Sequence, residues 1–207
     1  MSSETTGGGA AWTHNRSRAP DAKRGAVLAA AAEAFVEKGY AATSIDDVAA
    51  LLGVSKPTIY YYAGGKQALL GACFSVALDA YSAAVDQDPG AEHDGRGKLR
   101  TVIFRYVEIT TTVFGRCLHR VPDVELTHEV RDRLRAVKRA VDARIRDLLR
   151  QGVADGSLIT ADVRMATFAI SGAMNSIAQW YSPEGELGAE EIAHRLWETF
   201  SEGFGPR

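Results

Sequence analysis

Residues 43–70 read TSIDDVAALLGVSKPTIYYYAGGKQALL, and this stretch decides the fold. Thr43 and Ser44 are favoured helix N-caps, and Asp46 and Asp47 follow in the first turn, where carboxylates meet the positive end of the helix dipole. Ile45, Val48, Ala49 and Leu52 recur at helical spacing and give this short helix one apolar face. Gly53 supplies a turn residue that tolerates positive φ, and Ser55 with Pro57 opens a second short helix. A helix-turn-helix needs a small residue where its helices cross, a turn residue that takes positive φ and a buried branched residue on the second helix. Ala49, Gly53 and Ile59 meet these needs in order. A helical hairpin in any bundle can show the same three residues, so the second helix has to add to the argument. It crowds Ser55, Lys56, Thr58, Tyr60 and Tyr61 onto one short element. The tyrosines at 60, 61 and 62 cannot all be core, because neighbours on a helix point about 100° apart. At least one hydroxyl therefore faces solvent or a partner. Phosphate oxygens and base edges in a DNA major groove suit such hydroxyls and Lys56. Lys66 opens the next helix, where its ammonium and the free backbone N–H groups suit a phosphate. The expected DNA contacts are Thr43, Ser44, Ser55, Lys56, Thr58, Tyr60, Tyr61 and Lys66.

Working outward, Pro20-Asp21 suits a helix start, Val27, Leu28, Ala31, Ala34 and Phe35 form a helical stripe, and Gly39 suits its end. Residues 1–19 are Gly/Ser/Thr-rich without apolar periodicity and read as a flexible tail. Its Arg16 and Arg18 serve either solubility or a basic arm on DNA. Downstream, a helix runs from Lys66 through Tyr81, and residues 86–97 (DQDPGAEHDGRG) form a break. Helices are expected at 98–114, 127–152, 162–181 and 188–203, with 115–126 irregular or a short helix broken at Pro122. No run alternates with the period of a strand, so the fold is all-α with about nine helices.

The chain has 207 residues, 24 Lys+Arg against 26 Asp+Glu, and two cysteines. This composition excludes a disulfide scaffold and a disordered charged tail. No apolar run approaches a membrane span and no secretory signal opens the chain, so a cytoplasmic location without membrane partners is expected. The net charge of −2 argues against a nucleic-acid partner until it is divided along the chain. Residues 1–70 carry 7 basic and 6 acidic side chains, and residues 71–207 carry 17 and 20. The acidity thus lies outside the helix-turn-helix.

Residues 21–70 resemble the N-terminal DNA-binding domain of the tetracycline-repressor (TetR) family. The resemblance rests on Gly39-Tyr40, Thr43-Ser44-Ile45, Asp47-Val48-Ala49, Gly53-Val54-Ser55, Thr58-Ile59-Tyr60-Tyr61-Tyr62 and Lys66-Gln67-Ala68-Leu69-Leu70. The chain departs from the family's pattern at Ala63, where Phe is usual, at Gly65, where Ser or Asn is usual, and at Pro57, where Gly or Ala is common. The resemblance implies a dimeric repressor on a palindromic double-stranded DNA operator, with its recognition helix at about 55–61. It divides the chain into a tail (1–19), a helix-turn-helix domain (20–66) and a helical ligand-binding and dimerisation domain (67–207). The segment from Asn175 to Ala193 is similar to TetR-like regulators of fatty-acid and steroid catabolism, which implies an acyl-CoA or steroid-CoA effector. A multidrug-sensing repressor of an efflux gene is the alternative.

The expected pocket comprises Phe74, Phe104, Val107, Thr111, Phe114, Leu118, Phe168, Asn175 and Trp180, since ligand sites in helical domains form between helices. Ala166, Ala169, Gly172 and Ala173, with Ile192, Leu196 and Phe200, supply small and apolar residues for a two-fold four-helix dimer interface. The arginines of 127–152 are interleaved with aspartates and read as a solvated face, or as sites for the phosphates of a CoA-type ligand. Cys117 and His119 lie between helices. They would be the nucleophile and base of a small helical hydrolase or redox protein, but no catalytic or metal motif accompanies them, so neither enzyme activity, metal nor cofactor is expected.

Overall fold

The computed structural model describes residues 20–87, 90 and 94–203. The tail expected at 1–19, with Arg16 and Arg18, lies outside them. All regular structure among the described residues is helical: α1 (Pro20–Lys38), α2 (Ile45–Leu52), α3 (Lys56–Ala63), α4 (Lys66–Asp86), α5 (Gly95–Thr111), α6 (Val113–Arg120), a 3-10 turn (Asp123–Glu125), α7 (His128–Ala154), α8 (Val163–Trp180) and α9 (Ala189–Glu202).

The head of the molecule is α1, α2 and α3, each packed on the other two. Gly39 ends α1 at φ 82°. Ser44 caps α2 in a capping box: its hydroxyl accepts from the Asp47 N–H, and the Asp47 carboxylate accepts from the Ser44 N–H. Lys38 also donates to that carboxylate at 2.5 Å, and these bonds hold the Asp47 pKa well below the carboxylate range. Gly53 sits at φ 64° and closes α2. Val27, Phe35, Val48 and Ile59 meet in the core of the head. Ala63 and Tyr62 at the end of α3 are partly buried against the core.

Helix α4 leaves the head and enters the larger body. Its Leu69, Leu70 and Cys73 are buried near α1, where Cys73 donates its thiol proton to the Leu28 carbonyl. By length and composition α4 alone would pass for a membrane span among the described residues, but Leu69, Leu70, Cys73, Phe74, Ala77, Leu78 and Tyr81 are buried inside the protein. The division expected between residues 66 and 67 falls in the first turn of this shared helix.

In the body, α5 is central and packs on α4, α6, α7, α8 and α9. The single helix expected at 98–114 is two elements. Asp94 accepts from the Gly97 N–H and starts α5 early, while Thr112, at φ −64° and ψ 160°, ends α5 and caps α6. The tight geometry depends on absent side chains. A Cβ on Gly115 would lie 2.0 Å from the Ile109 carbonyl oxygen, and one on Gly95 would lie 2.2 Å from the Gly152 nitrogen. The start of α5 therefore crosses the end of α7 with backbone against backbone. Replacing Gly95 by Ala should cost about 2–3 kcal/mol through forced separation of these helices. Gly172→Ala, which meets nothing within 4 Å in the interior of α8, should instead stabilise the chain by about 0.5–1 kcal/mol by urea denaturation.

Candidate nucleic-acid interface and interior cavity

Ile59 is fully buried and anchors α3 to the head, which turns Lys56, Tyr60 and Tyr61 outward. Tyr60 is 49 % exposed and Tyr61 83 %. The Ser55 and Thr58 hydroxyls pair at 2.9 Å at the start of the helix, and Lys56 reaches Asp46 of α2 at 2.8 Å, which raises its pKa. Lys66 donates to the Ala41 carbonyl at 3.1 Å and lies 4.3 Å from the centre of the Tyr40 ring. Its ammonium, with three donors, is thereby held beside the N-terminus of α4. Thr43 does not join this surface. It is 3 % exposed, and its hydroxyl lies 3.0 and 2.8 Å from the Ala34 and Gly39 carbonyls at the end of α1. Ser44 is exposed, but its hydroxyl serves the cap of α2.

The body encloses a cavity of about 270 Å³ between α4, α5, α6, α7 and α8. Leu78, Leu118, Leu134, Val137, Val141 and Met174 make it apolar. Tyr81, Tyr106, His119 and Asn175 add polar atoms to its wall. Lys138 and Asp142 of α7 face Phe168, Ser171 and Gly172 of α8 at the rim, where Ser171 donates to Asp142 at 2.6 Å. Tyr106 donates to the Asn175 side-chain oxygen at 2.5 Å. The Tyr81 hydroxyl lies 2.7 Å from that of Thr110 and 3.1 Å from His119 Nε2. Burial raises both tyrosine pKa values, so both phenols keep their protons. Burial and then the charge of Lys138 lower the His119 pKa to about 4, so its imidazole is neutral at pH 7.

Of the nine expected pocket residues, Leu118, Phe168 and Asn175 line this cavity. Phe74 and Val107 are fully buried core, and Thr111 turns its hydroxyl back to the Val107 and Glu108 carbonyls. Phe104 faces α9, between the Arg100 guanidinium and the His194 ring. Phe114 packs on the core, and Trp180 is 55 % exposed near α9. Gly172, expected only in a dimer interface, is also a cavity residue. Ile192 is buried within the chain, whereas Ala166, Ala169, Ala173, Leu196 and Phe200 are at least partly exposed on α8 and α9. Cys117 is fully buried and its pKa is pushed up by burial, which removes the thiolate a redox or hydrolytic role would require.

The arrangement is that of a helix-turn-helix head mounted on a helical body that holds a cavity. Residues 27–73 match the bacterial regulatory proteins of the tetR family, and residues 92–204 match the tetracyclin repressor-like C-terminal domain. The second match spans more than half of the chain, so the protein belongs to the TetR family of transcriptional regulators. The TetR family regulator PfmR from Thermus thermophilus has a similar structure, with a TM-score of 0.77 and 28 % identity over 87 % of this chain and 99 % of that one. AibR, solved with isovaleryl coenzyme A and operator DNA, shares the fold at a TM-score of 0.72 and 22 % identity, over 88 % of this chain and 100 % of that one. The transcriptional activator FasR of Mycolicibacterium smegmatis is 35 % identical over 91 residues, 42 % of each chain. The match thus covers about two fifths of that curated relative's length.

The environment of His119 has a consequence for stability. Its folded pKa of about 4 lies below the ordinary 6.5, so the unfolded chain takes up the proton first as pH falls. The stability tied to the neutral ring is complete above pH 6.5 and is lost as pH falls from there towards 4, by on the order of 3 kcal/mol. Denaturant midpoints across this range should fall in the wild type, and His119→Gln, which cannot titrate, should flatten that part of the profile.

Proposed function

We propose that the protein is a ligand-responsive repressor that binds a palindromic operator as a homodimer, in the cytoplasm, and leaves it when a small hydrophobic effector enters the cavity. The observation that carries this reading is the double duty of α6. Leu118 and His119 face the cavity, while Arg116 on the same helix lies against Glu33 and Glu37 of α1 at 3.3 and 4.0 Å. A second connection supports it: Tyr40 donates to Gln67 at 2.7 Å, and Gln67 donates to the Glu125 carbonyl in the turn after α6 at 2.9 Å. An effector that fits the cavity better when α6 is displaced favours the head orientation that cannot bind DNA.

Dimerisation is assigned to α8 and α9. Met165, Phe168 and Trp180 are 60 %, 47 % and 55 % exposed there, beside Ala169, Gly172, Leu196 and Phe200. An isologous pairing of these helices would bury them and set two recognition helices about one DNA turn apart. The acyl-CoA reading draws on the resemblance of residues 175–193 and on the isovaleryl coenzyme A in AibR. The cavity has room for on the order of a dozen non-hydrogen atoms, enough for an acyl group. The nucleotide of a thioester would then lie outside, along Arg135, Lys138 and Arg139 on the exposed face of α7.

A gel shift with the DNA upstream of the protein's own gene tests the reading. A sequence-specific, salt-sensitive shift is expected, and its absence removes the repressor reading. Lys66→Ala should weaken binding about equally on all sequences and lower the salt slope, whereas Tyr60→Ala should change the ranking of operators. Arg116→Met should keep operator binding but reduce release by effector about tenfold, within the usual range of coupling between sites. Thermal shifts by lipophilic cations but by no thioester would favour the efflux-gene alternative.

A further inference from the structure

We infer that the occupant of the cavity is a hydrophobic alcohol or phenol whose hydroxyl donates its proton to His119 Nδ1. This rests on the reading above that a small hydrophobic effector enters the cavity, and it departs from the acyl-CoA form of that reading, because a thioester carbonyl brings no proton for Nδ1. The protons of one hydrogen-bonded chain run in a fixed order. Thr110 donates to the Tyr106 carbonyl at 2.8 Å, and a carbonyl can only accept. The proton between Thr110 and Tyr81, whose oxygens are 2.7 Å apart, then comes from Tyr81. Having one proton, Tyr81 must accept at 3.1 Å from His119 Nε2. This order keeps all three contacts hydrogen-bonded. The reverse order takes the Thr110 proton off the carbonyl and loses one bond. His119 is therefore the Nε2–H tautomer, and Nδ1 carries a bare lone pair.

The ring is held in place. Tyr81 meets it edge-on at 6.0 Å between centroids and Tyr106 lies 6.4 Å away, while Gln179 donates to the His119 carbonyl at 3.2 Å. Among the described residues Nδ1 has no hydrogen-bond partner, and it is not one of their sealed, unpartnered side-chain atoms, which belong to Arg105, Arg116 and Arg144. It remains open to an occupant, which must bring a donor. Tyr106 has already given its proton to Asn175 and adds a second acceptor oxygen nearby. A carboxylate in this place would meet two lone pairs. Lys138, the only cation among the described residues of the lining, is exposed at the rim and close to Asp142 one turn on. A neutral hydroxyl on an apolar body suits both the lone pairs and the aliphatic walls.

Matched probes on the full-length protein test this by titration calorimetry: para-hexylphenol, para-hexylanisole and para-hexylbenzoate. The phenol is expected to bind about tenfold more tightly than the methyl ether, which lacks the proton, and more tightly than the benzoate. Two-bond proton–nitrogen correlations of the unliganded wild type should show His119 with Nε2 protonated. His119→Gln can still donate to Tyr81 but has no acceptor at the Nδ1 position, so it should abolish the preference for phenol over ether. His119→Asn, with an oxygen at that position, should keep it. The inference is overturned by equal affinity for phenol and ether, by tighter binding of the benzoate, by binding of none of the probes or by an Nδ1-protonated ring. The wild-type measurements decide this even where the variants fold poorly. Operator binding is read separately by gel shift, so its failure counts against the regulator reading alone.

Discussion

A buried guanidinium ties the two halves of the molecule together. Arg116 has a side chain only 5 % exposed, yet its carboxylate partners Glu33 and Glu37 are 46 % and 64 % exposed, and its Nε has no partner. A charge in that position is costly unless its counterions stay close, so the seam between α1 and α6 tolerates little sliding. The same seam buries Cys117 on α6 and much of the α1 stripe. The head is thus registered on the body by one ion cluster and by apolar packing that shares its helices. In the proposed switch, a displacement of α6 would be passed through this seam to the head.

The cavity gains its meaning from this seam. Its wall on α6 lies within three residues of Arg116, less than one helical turn. The polar chain from Thr110 through Tyr81 to His119 crosses α5, α4 and α6 in turn and ties those helices together. The occupant proposed above, bonded to the far side of the imidazole, would act on the element that also holds the head. No long relay of side chains has to be invoked.

The head was legible in the sequence because its determinants are local. The capping box at Ser44, positive φ at Gly53 and inward Ile59 are each set by a few neighbouring residues. Thr43 shows the limit of that reasoning: its residue type suits a cap or a phosphate contact, but its place one residue before the cap turns it inward to the end of α1. The break at Thr112 was missed because Thr110, Thr111 and Thr112 carry no Pro or Gly signal and fit a helix as well as its end. The cavity was largely hidden. Aromatic hydrophobes drew attention to Phe74, Phe104 and Trp180, whereas the wall uses Tyr81 and Tyr106, which read as ordinary positions on helical stripes. Five helices contribute to it, and their separations in sequence leave no spacing to detect. Leu118, Phe168 and Asn175 are the expected pocket residues that reach it, whereas the sequence offers His119 only as a candidate catalytic base.

Helix α8 presents one side to the cavity through Ser171 and Asn175 and the other to the face assigned to the partner, and Phe168 and Gly172 stand at the boundary between them. In the proposed dimer the two cavities thus share a wall system across the two-fold axis. Filling one would alter the surface on which the second protomer rests. The dose–response curve of such a switch would be steeper than that of an independent site, and sensitivity would be sharpened at the level of the pair rather than the single chain.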